Sequence, residues 1–587
     1  MKKIFYFASV AVFALFTASC EDFLDTTNYW SKTTTDYPVC ETDADQIITG
    51  IYNNLNVTIG DNVHLNEFFW SLASSDDCLG GGGANDQAPQ AEDLLLNYGA
   101  DMYNTFYTGR YKGVARANLA IATLAQCGLS DAKYNQYMGE AHFMRAFYYY
   151  ELASMFGNIP CPISTSADNT QPQITGEALW GQILEDCKKA IEYFPDDNSA
   201  TKGTGHADKY CAQALLGRAY LFYSGFYNDE EVSLPEGGTI DRAYVAAQIK
   251  ACAESGKYSL VDKFGNLWAY TNRCTQADDK FPEQWKDKGY VWAENDGAVN
   301  PEAMFMIKFN TQPSWSTTIG YSNQTALFFG VRGQSLDNGE CYPFGTGWGM
   351  CPVNPSFVKD WELAEPNDVR RECSIIPVTN WSSYVYGGDS NIQESGYYMT
   401  KCMPVLAPKA DGSGYWKSFS NAMYDLTWSS GNEDNFQLNS INDMVMIRFA
   451  EVLLMDAELN NNQASFDKVR ARAGLPSKTL NEENLRNERR WELAFEGVRW
   501  NDMRRYGDDY AIAALNKQDN VKVWNNGVEG VNNANDRNGG YSVRYTATHG
   551  FAPLPAAQIS LSASAGEEYK YTQNAGWGTS SVDYAGW

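Results

Sequence analysis

From Thr42 to Leu260 apolar residues return every three or four positions, and turns carrying Gly, Pro or Asp cut the pattern into amphipathic stretches near 102–126, 131–156, 177–194, 207–226 and 241–256. Successive stretches of this length joined by short turns predict helical hairpins. In 177–194, Trp180, Ile183, Leu184 and Cys187 share a face, and the run from Ala212 to Gly225 sets small residues against aromatics. Units of this kind bury a continuous face by stacking, so Ala214, Gly217 and Tyr220 are predicted to be packing residues. The pattern resembles degenerate tetratricopeptide repeats.

After Leu260 the character changes: Trp, Tyr, Asn, Gly and Pro crowd residues 261–440 with little sustained helical period. So long an irregular stretch within a folded body is a place to expect a binding surface. Helical pattern resumes at Met444 and runs to about Ala514, and the tail from Lys517 is expected to wrap the helical body. Within that part Thr479–Gly507 predicts one long helix, opened by a capping box of Thr479 with Glu482 and stopped by a left-handed Gly507. At 100° per residue Trp491, Ala494, Phe495 and Val498 fall on one face and Leu485, Leu493, Trp500 and Met503 on the other, so both sides are expected to be buried. Glu482–Arg486, Glu496–Arg499 and Asp502–Arg505 have the spacing of intrahelical ion pairs, and these charges are predicted to serve the scaffold.

The first nineteen residues stand apart. Lys2 and Lys3 precede an apolar run from Ile4 to Phe16, then Ala18, Ser19 and Cys20. The run is shorter than the roughly 20 apolar residues of a spanning helix, so it predicts a secretory signal. A small residue before Cys20 and acidic residues after it mark Cys20 as the lipidated first residue of the mature chain. The expected organisation is a signal peptide at 1–19, a lipidated linker at 20–41, a helical region at 42–260, a loop-rich region at 261–440 and C-terminal helices with a wrapping tail at 441–587, all in one body. Formal charge is −27, more negative by two once Lys2 and Lys3 leave with the leader, and it repels phosphate backbones. Nucleic acid is excluded as a partner.

Motifs for catalysis are scarce. His64, His142, His206 and His549 show no metal-ligand spacing, the twelve cysteines beyond Cys20 form no C-x-x-C pair, and neither a nucleophile elbow nor a Walker sequence occurs. No metal or cofactor is expected, and the cysteines are predicted to be mostly free thiols. A glycoside hydrolase needs only two carboxylates and stays an alternative. Gly80–Gly83 lacks the Lys-Ser/Thr of a phosphate loop. It predicts a flexible crossing that gathers Asp76, Asp77, Asn85, Asp86 and Gln87, whose carboxylates and amides suit sugar hydroxyls. Aromatic rings, 14% of residues, would supply stacking surfaces for the apolar faces of sugars.

Five blocks carry a family resemblance: IRFAEVLLMDAEL (447–459), FDKVRARAGLP (466–476), RNERRWELAFEGVRWNDMRRYG (486–507), GEAHFMRAFYYYELASMFGNIP (139–160) and HGFAPLPAAQISLS (549–562). The first three, in that order, resemble the C-terminal signature of the SusD/RagB family of Bacteroidetes surface lipoproteins, and the other two are further matches. The resemblance implies a mainly α fold on a tetratricopeptide-like scaffold with a long loop-rich insertion. It also implies glycan binding without catalysis at the outer membrane, an outward-facing lipid anchor, and a TonB-dependent SusC-type transporter as partner. Some members handle peptides, which makes a peptide ligand the first alternative and a secreted glycoside hydrolase the second. The family holds ligands in an aromatic arc that maps here to 70–101 and 261–430. This points to Trp292, Trp315, Tyr321 and Trp348 as stacking residues beside Asp77, Asn85, Asp86 and Gln87.

Overall fold

The computed structural model describes residues 37–58, 65–166, 170–309, 323–334, 340–424, 434, 440–578 and 583–587. Cys20, Trp315 and Tyr321 lie outside the described residues, as does His64.

The N-terminal half is helical. Helices α1 (Glu41–Asn53), α2 (Glu67–Ala73) and α3 (Gln87–Asp93) precede five longer ones, α4 (Asn104–Thr123), α5 (Asp131–Phe156), α6 (Gly176–Tyr193), α7 (Lys209–Tyr227) and α8 (Arg242–Glu254). The last five coincide with the five amphipathic stretches to within a few residues, and each packs on the next. Their starts are written locally: Asp208 accepts from the amides of Tyr210 and Cys211, and Asp241 accepts from that of Tyr244. At Gly217 a Cβ would stand 2.5 Å from Ile249, so the small residue sets the approach of α7 to α8. From Met138 to Phe156 every residue of α5 is buried. Its polar groups enter the interior paired: Arg145 donates to Asp186 at 2.6 and 2.8 Å, His142 meets the same carboxylate at 2.7 Å, and Glu151 binds Arg110 at 2.5 Å. The arrangement is a mainly α stack of helical hairpins.

The loop-rich region closes on a two-stranded antiparallel stem, β1 (Ala303–Ile307) with β2 (Met444–Arg448). Its own apolar cluster includes Phe264, Tyr270, Trp285, Trp292, Phe344, Tyr398 and Phe419. Among the helices it holds that periodicity alone did not reveal are α9 (Pro355–Ala364), capped by Asn354, and α10 (Val369–Ser374), capped by Asp368. After β2 come α11 (Phe449–Asn460), α12 (Gln463–Arg472), α13 (Glu482–Glu492), α14 (Arg499–Arg505) and α15 (Asp508–Asn516). The tail carries a hairpin, β3 (Lys522–Asn525) with β4 (Val528–Val531), then α16 (Gly540–Thr548) and α17 (Ala556–Ala563).

The predicted single helix over Thr479–Gly507 is two. Asn481, not Thr479, caps α13, accepting from the Asn484 amide. The chain turns between α13 and α14 at Phe495 (φ 64°) and Gly497 (φ 74°), where a Cβ on Gly497 would press to 2.6 Å from Phe68. Tertiary ion pairs override the local register. Arg489 of α13 reaches Asp502 of α14 at 2.9 and 3.1 Å across the bend. Glu482–Arg486 and Asp502–Arg505 form as predicted, but Glu496 turns to Arg448 and Lys401, and Arg499 turns to Asp76. Both apolar sets are buried except half-buried Val498, with Trp491 stacked on Trp361 at 5.2 Å and Trp500 edge-on to Trp70 at 6.4 Å.

A largely buried charged network ties these parts together. Glu492 accepts from Arg448, Arg472 and Arg370, which hold its carboxyl well below the ordinary range despite burial. Arg448 also binds Glu302 at 2.7 Å, and Arg470 binds Glu488 at 2.7 Å and Glu365 at 3.0 Å. Removing one partner from such a network strands a buried charge, which is why the charges serve the scaffold.

Candidate functional site

The glycine segment is not a flexible crossing. Gly81 bridges Met350 and Gly83 bridges Asn391, so residues 78–83 run between 349–353 and 390–392 as the middle of an irregular sheet. The Leu79 amide donates to Pro352 at 2.9 Å, that of Gly82 to Gly349 at 3.0 Å, and that of Ile392 to Gly82 at 2.8 Å. The Gln90 side chain donates to the carbonyls of Gly81 and Gly83. Glycine is required by contact: a Cβ on Gly80 would stand 2.6 Å from the Gln90 backbone, and Gly81 and Gly82 have φ of 68° and 76°.

This arrangement separates residues that the sequence placed together. Asp76 and Asp77 face inward. Asp77 is fully buried and accepts from Arg490 at 3.1 Å, while Asp76 takes Arg499 at 2.7 and 3.1 Å and Arg490 at 2.7 Å. Burial pushes Asp77 upward, whereas for Asp76 the two guanidiniums outweigh burial and hold it low. Asp77 therefore clamps the loop to α13 and is not available to a ligand at the surface. The expectation for Trp292 is corrected likewise: it is 4% exposed, edge-on to Phe419 at 5.4 Å, and belongs to the core of the loop-rich region. Trp292 and Trp268 border a cavity of about 70 Å³ with Glu294, Asp443, Lys401 and Glu496. A benzene-binding cavity is on the order of 150 Å³, so this one is too small for a sugar ring.

Asp86 and Trp348 do come together, through a residue that sequence reading missed. The Arg332 guanidinium donates from Nη1 to Asp86 Oδ2 at 3.1 Å and to the Trp348 carbonyl at 3.3 Å, and lies over the Trp348 ring with Cζ 5.4 Å from its centroid. From the other side Asp389 accepts on its carbonyl from Nε at 3.1 Å and pairs its carboxylate with Nη2 at 3.0 Å. Asp86 itself is fixed by the Gly83 amide at 2.7 Å. Asn85 is exposed and Gln87 half-buried on the same turn, and Trp348 is half-buried. Arg332 is the one cation between Lys308 and Lys359, an isolation that marks it in hindsight.

Four non-glycine residues in the left-handed region surround this surface: Cys351 (φ 50°), Asp389 (54°), Ser390 (57°) and Gln393 (51°). Such conformations persist only where the surroundings hold them, and they gather at ligand-binding surfaces. Gln393 shows the bracing: its side chain accepts from the Gly81 amide at 3.1 Å and donates to Asp93 at 2.7 Å. The result is a rigid ledge carrying an aromatic ring, a guanidinium, two carboxylates and amides. That mixture can stack one face of a ligand and hydrogen-bond its edge. Among the described residues no His, Cys, Asp or Glu group of three or more could hold a metal ion, and no helix is long and apolar enough to cross a membrane.

Two family models match the chain, one described as starch-binding associating with the outer membrane over residues 22–221, the other as the SusD family over residues 269–577. The chain belongs to the SusD family. SusD-like protein P2 of Formosa agariphila is 23% identical over 73% of this chain and 76% of its own length. A SusD-like protein of Bacteroides ovatus is 24% identical over 75% of this chain and 73% of its own. Among solved structures, a laminarin-binding SusD-like protein matches with a TM-score of 0.66 at 23% identity, covering 91% of this chain and 99% of that one. Surface glycan-binding protein A of Bacteroides thetaiotaomicron, solved with laminarihexaose, matches with a TM-score of 0.66 at 17% identity over the same shares. These likenesses show the SusD-like fold, on which the Arg332 ledge sits.

Proposed function

We propose that this SusD-family protein is a cell-surface lipoprotein that captures glycans at the ledge of Trp348, Arg332, Asp86 and Asp389 and passes them to a SusC-type TonB-dependent transporter. The observation that carries the reading is Arg332, which fixes a predicted stacking ring and a predicted polar group on one surface. Sugar recognition needs that combination: an aromatic face for the ring's C–H groups and rigid polar groups for its hydroxyls. The fold shared with glycan-binding proteins supports the same conclusion. Lipid attachment at Cys20 supplies the anchor, in keeping with the outer-membrane association described for the family.

The protein acts without catalysis. Asp86 and Asp389 are engaged by one guanidinium, whereas a glycosidase needs an acid and a base or nucleophile set independently on either side of the scissile bond. The test is a glycan array probed with the full chain in detergent, then calorimetric titration of the tightest hit and a reducing-sugar assay on the same mixture. Binding without sugar release is expected. Failure to bind any glycan, or turnover of the bound one, would refute the proposal.

A further inference from the structure

Four stretches build the ledge: 79–91, 323–334, 340–350 and 381–396. Among the described residues they carry a single cation, Arg332, against the carboxylates of Asp86, Asp389, Glu340, which accepts from Ser382 and Ser383, and buried Glu394. Arg332 is also spent within the protein. Nε donates to the Asp389 carbonyl, Nη1 to Asp86 and to the Trp348 carbonyl, and Nη2 to the Asp389 carboxylate, so most of the donor fork faces protein acceptors. Its charge is offset by two carboxylates at 3.0 and 3.1 Å.

We infer that the ledge selects uncharged glycans and disfavours sulfated or uronic ones, with Arg332 acting as a positioning residue and not as an anion receptor. The inference rests on the glycan-binding reading above and narrows it. A sulfate or carboxylate arriving at the ledge meets an excess of negative charge and a guanidinium already paired, so it loses hydration without gaining a matched cation. The protein's net charge of −27 adds a long-range field of the same sign. An uncharged sugar faces neither cost. The carboxylates accept from its hydroxyls, and half-buried Trp348, held against the Arg332 guanidinium, supplies an apolar contact that does not depend on salt.

The experiment takes the full chain in detergent, the tightest uncharged glycan on the array and the same glycan after chemical sulfation. Affinity for the uncharged form is expected to change less than about twofold between roughly 50 and 500 mM salt, and sulfation to weaken binding by about tenfold or more. The double variant D86N/D389N frees the Arg332 charge and is expected to raise affinity for the sulfated form by about tenfold, in a manner that high salt abolishes. A purely structural role for the pairs predicts no such gain. Should the tightest ligands be sulfated or uronic glycans, or should sulfation leave affinity unchanged, the inference falls while glycan binding stands. Absence of binding to every glycan overturns the functional reading itself. If the double variant does not fold, the sulfation comparison on the unaltered chain decides alone.

Discussion

The Asp76 carboxylate and the Arg499 guanidinium, 423 residues apart, meet inside the protein through hydrogen bonds of 2.7 and 3.1 Å. Arg490 reaches both Asp76 and Asp77 from α13, and the Asn354 side chain donates to the Asp76 carbonyl at 2.9 Å. One acidic pair thus joins the loop after α2, the start of α9 and both halves of the bent C-terminal unit. The glycine segment that carries Asp86 starts immediately after this clamp, so the ledge inherits its rigidity.

Replacing Asp76 by Ala leaves two buried guanidiniums without their shared partner. A loss of about 3–5 kcal/mol in unfolding free energy is expected, read from urea denaturation of the full chain. Arg499→Ala should cost a similar amount, and the double variant less than the sum, because the second substitution removes the charge stranded by the first. A loss below about 1 kcal/mol for both single variants would show that the clamp does not hold the fold.

Trp491 lies flat on Trp361, with ring planes 14° apart and the Trp361 indole N–H donating to Asp368 at 3.0 Å. Trp491→Ala should open a cavity between α13 and α9 and cost on the order of 3–5 kcal/mol, and Trp500→Ala a comparable amount at its contact with Trp70 and Tyr545. Melting temperatures near that of the parent chain would contradict the buried placement of both rings.

The helical hairpins were legible because their periodicity is local: apolar spacing and punctuation specify each helix without knowledge of its neighbours. The bend at Phe495–Gly497 was not: Gly497 is a local signal against a helix interior, but apolar spacing continues across it, and the partners of Arg499 and Glu496 that fix the bend are distant in sequence. At the site the same division holds. Asp86 and Trp348, the residues proposed for the ledge, were chosen from residue type, and nothing near Asp77 in the sequence distinguishes it from Asp86. The difference is made by Arg490, more than 400 positions away. Trp292 and Trp348 likewise look alike among polar neighbours, and burial against Phe419 separates them. Arg332 was overlooked because an isolated cation in a loop carries no spacing signal.

Glu67 opens α2 and is buried beside Ser154 and Asn501, and burial, followed by the nearby Glu151, raises its pKa to about 8. In the unfolded chain it titrates near 4.5. The folded state therefore holds the proton more tightly, and the stability this contributes is complete below pH 4.5 and lost as pH rises through 8. Glu67→Gln removes that dependence: relative to the parent chain, the variant should gain stability as pH increases from 5 to 9, read as the difference between two urea-denaturation series. Parallel series would show that Glu67 does not retain its proton in the fold.

Cys20 follows the apolar leader and precedes Glu21 and Asp22. Cys20→Ala should abolish acyl mass on the intact protein and move it from the detergent phase to the aqueous phase on Triton X-114 partition, because the chain's −27 charge offers no electrostatic hold on an anionic surface. Acylated C20A protein would place the anchor elsewhere.

Trp348 and Trp292 separate binding from folding. Trp348 is half-buried under the Arg332 guanidinium, so Trp348→Ala should lower glycan affinity by about 1–3 kcal/mol, in the range of interface hot spots, with a small effect on melting. Trp292, 4% exposed in the second core, should behave in the opposite way: Trp292→Ala loses about 3–5 kcal/mol of stability, and the fraction that stays folded at low temperature binds with parental affinity. Calorimetric titration at 10 °C, beside a melting curve for each variant, checks both. If Trp348→Ala binds normally while Trp292→Ala, still folded, does not, the ligand does not sit on the ledge.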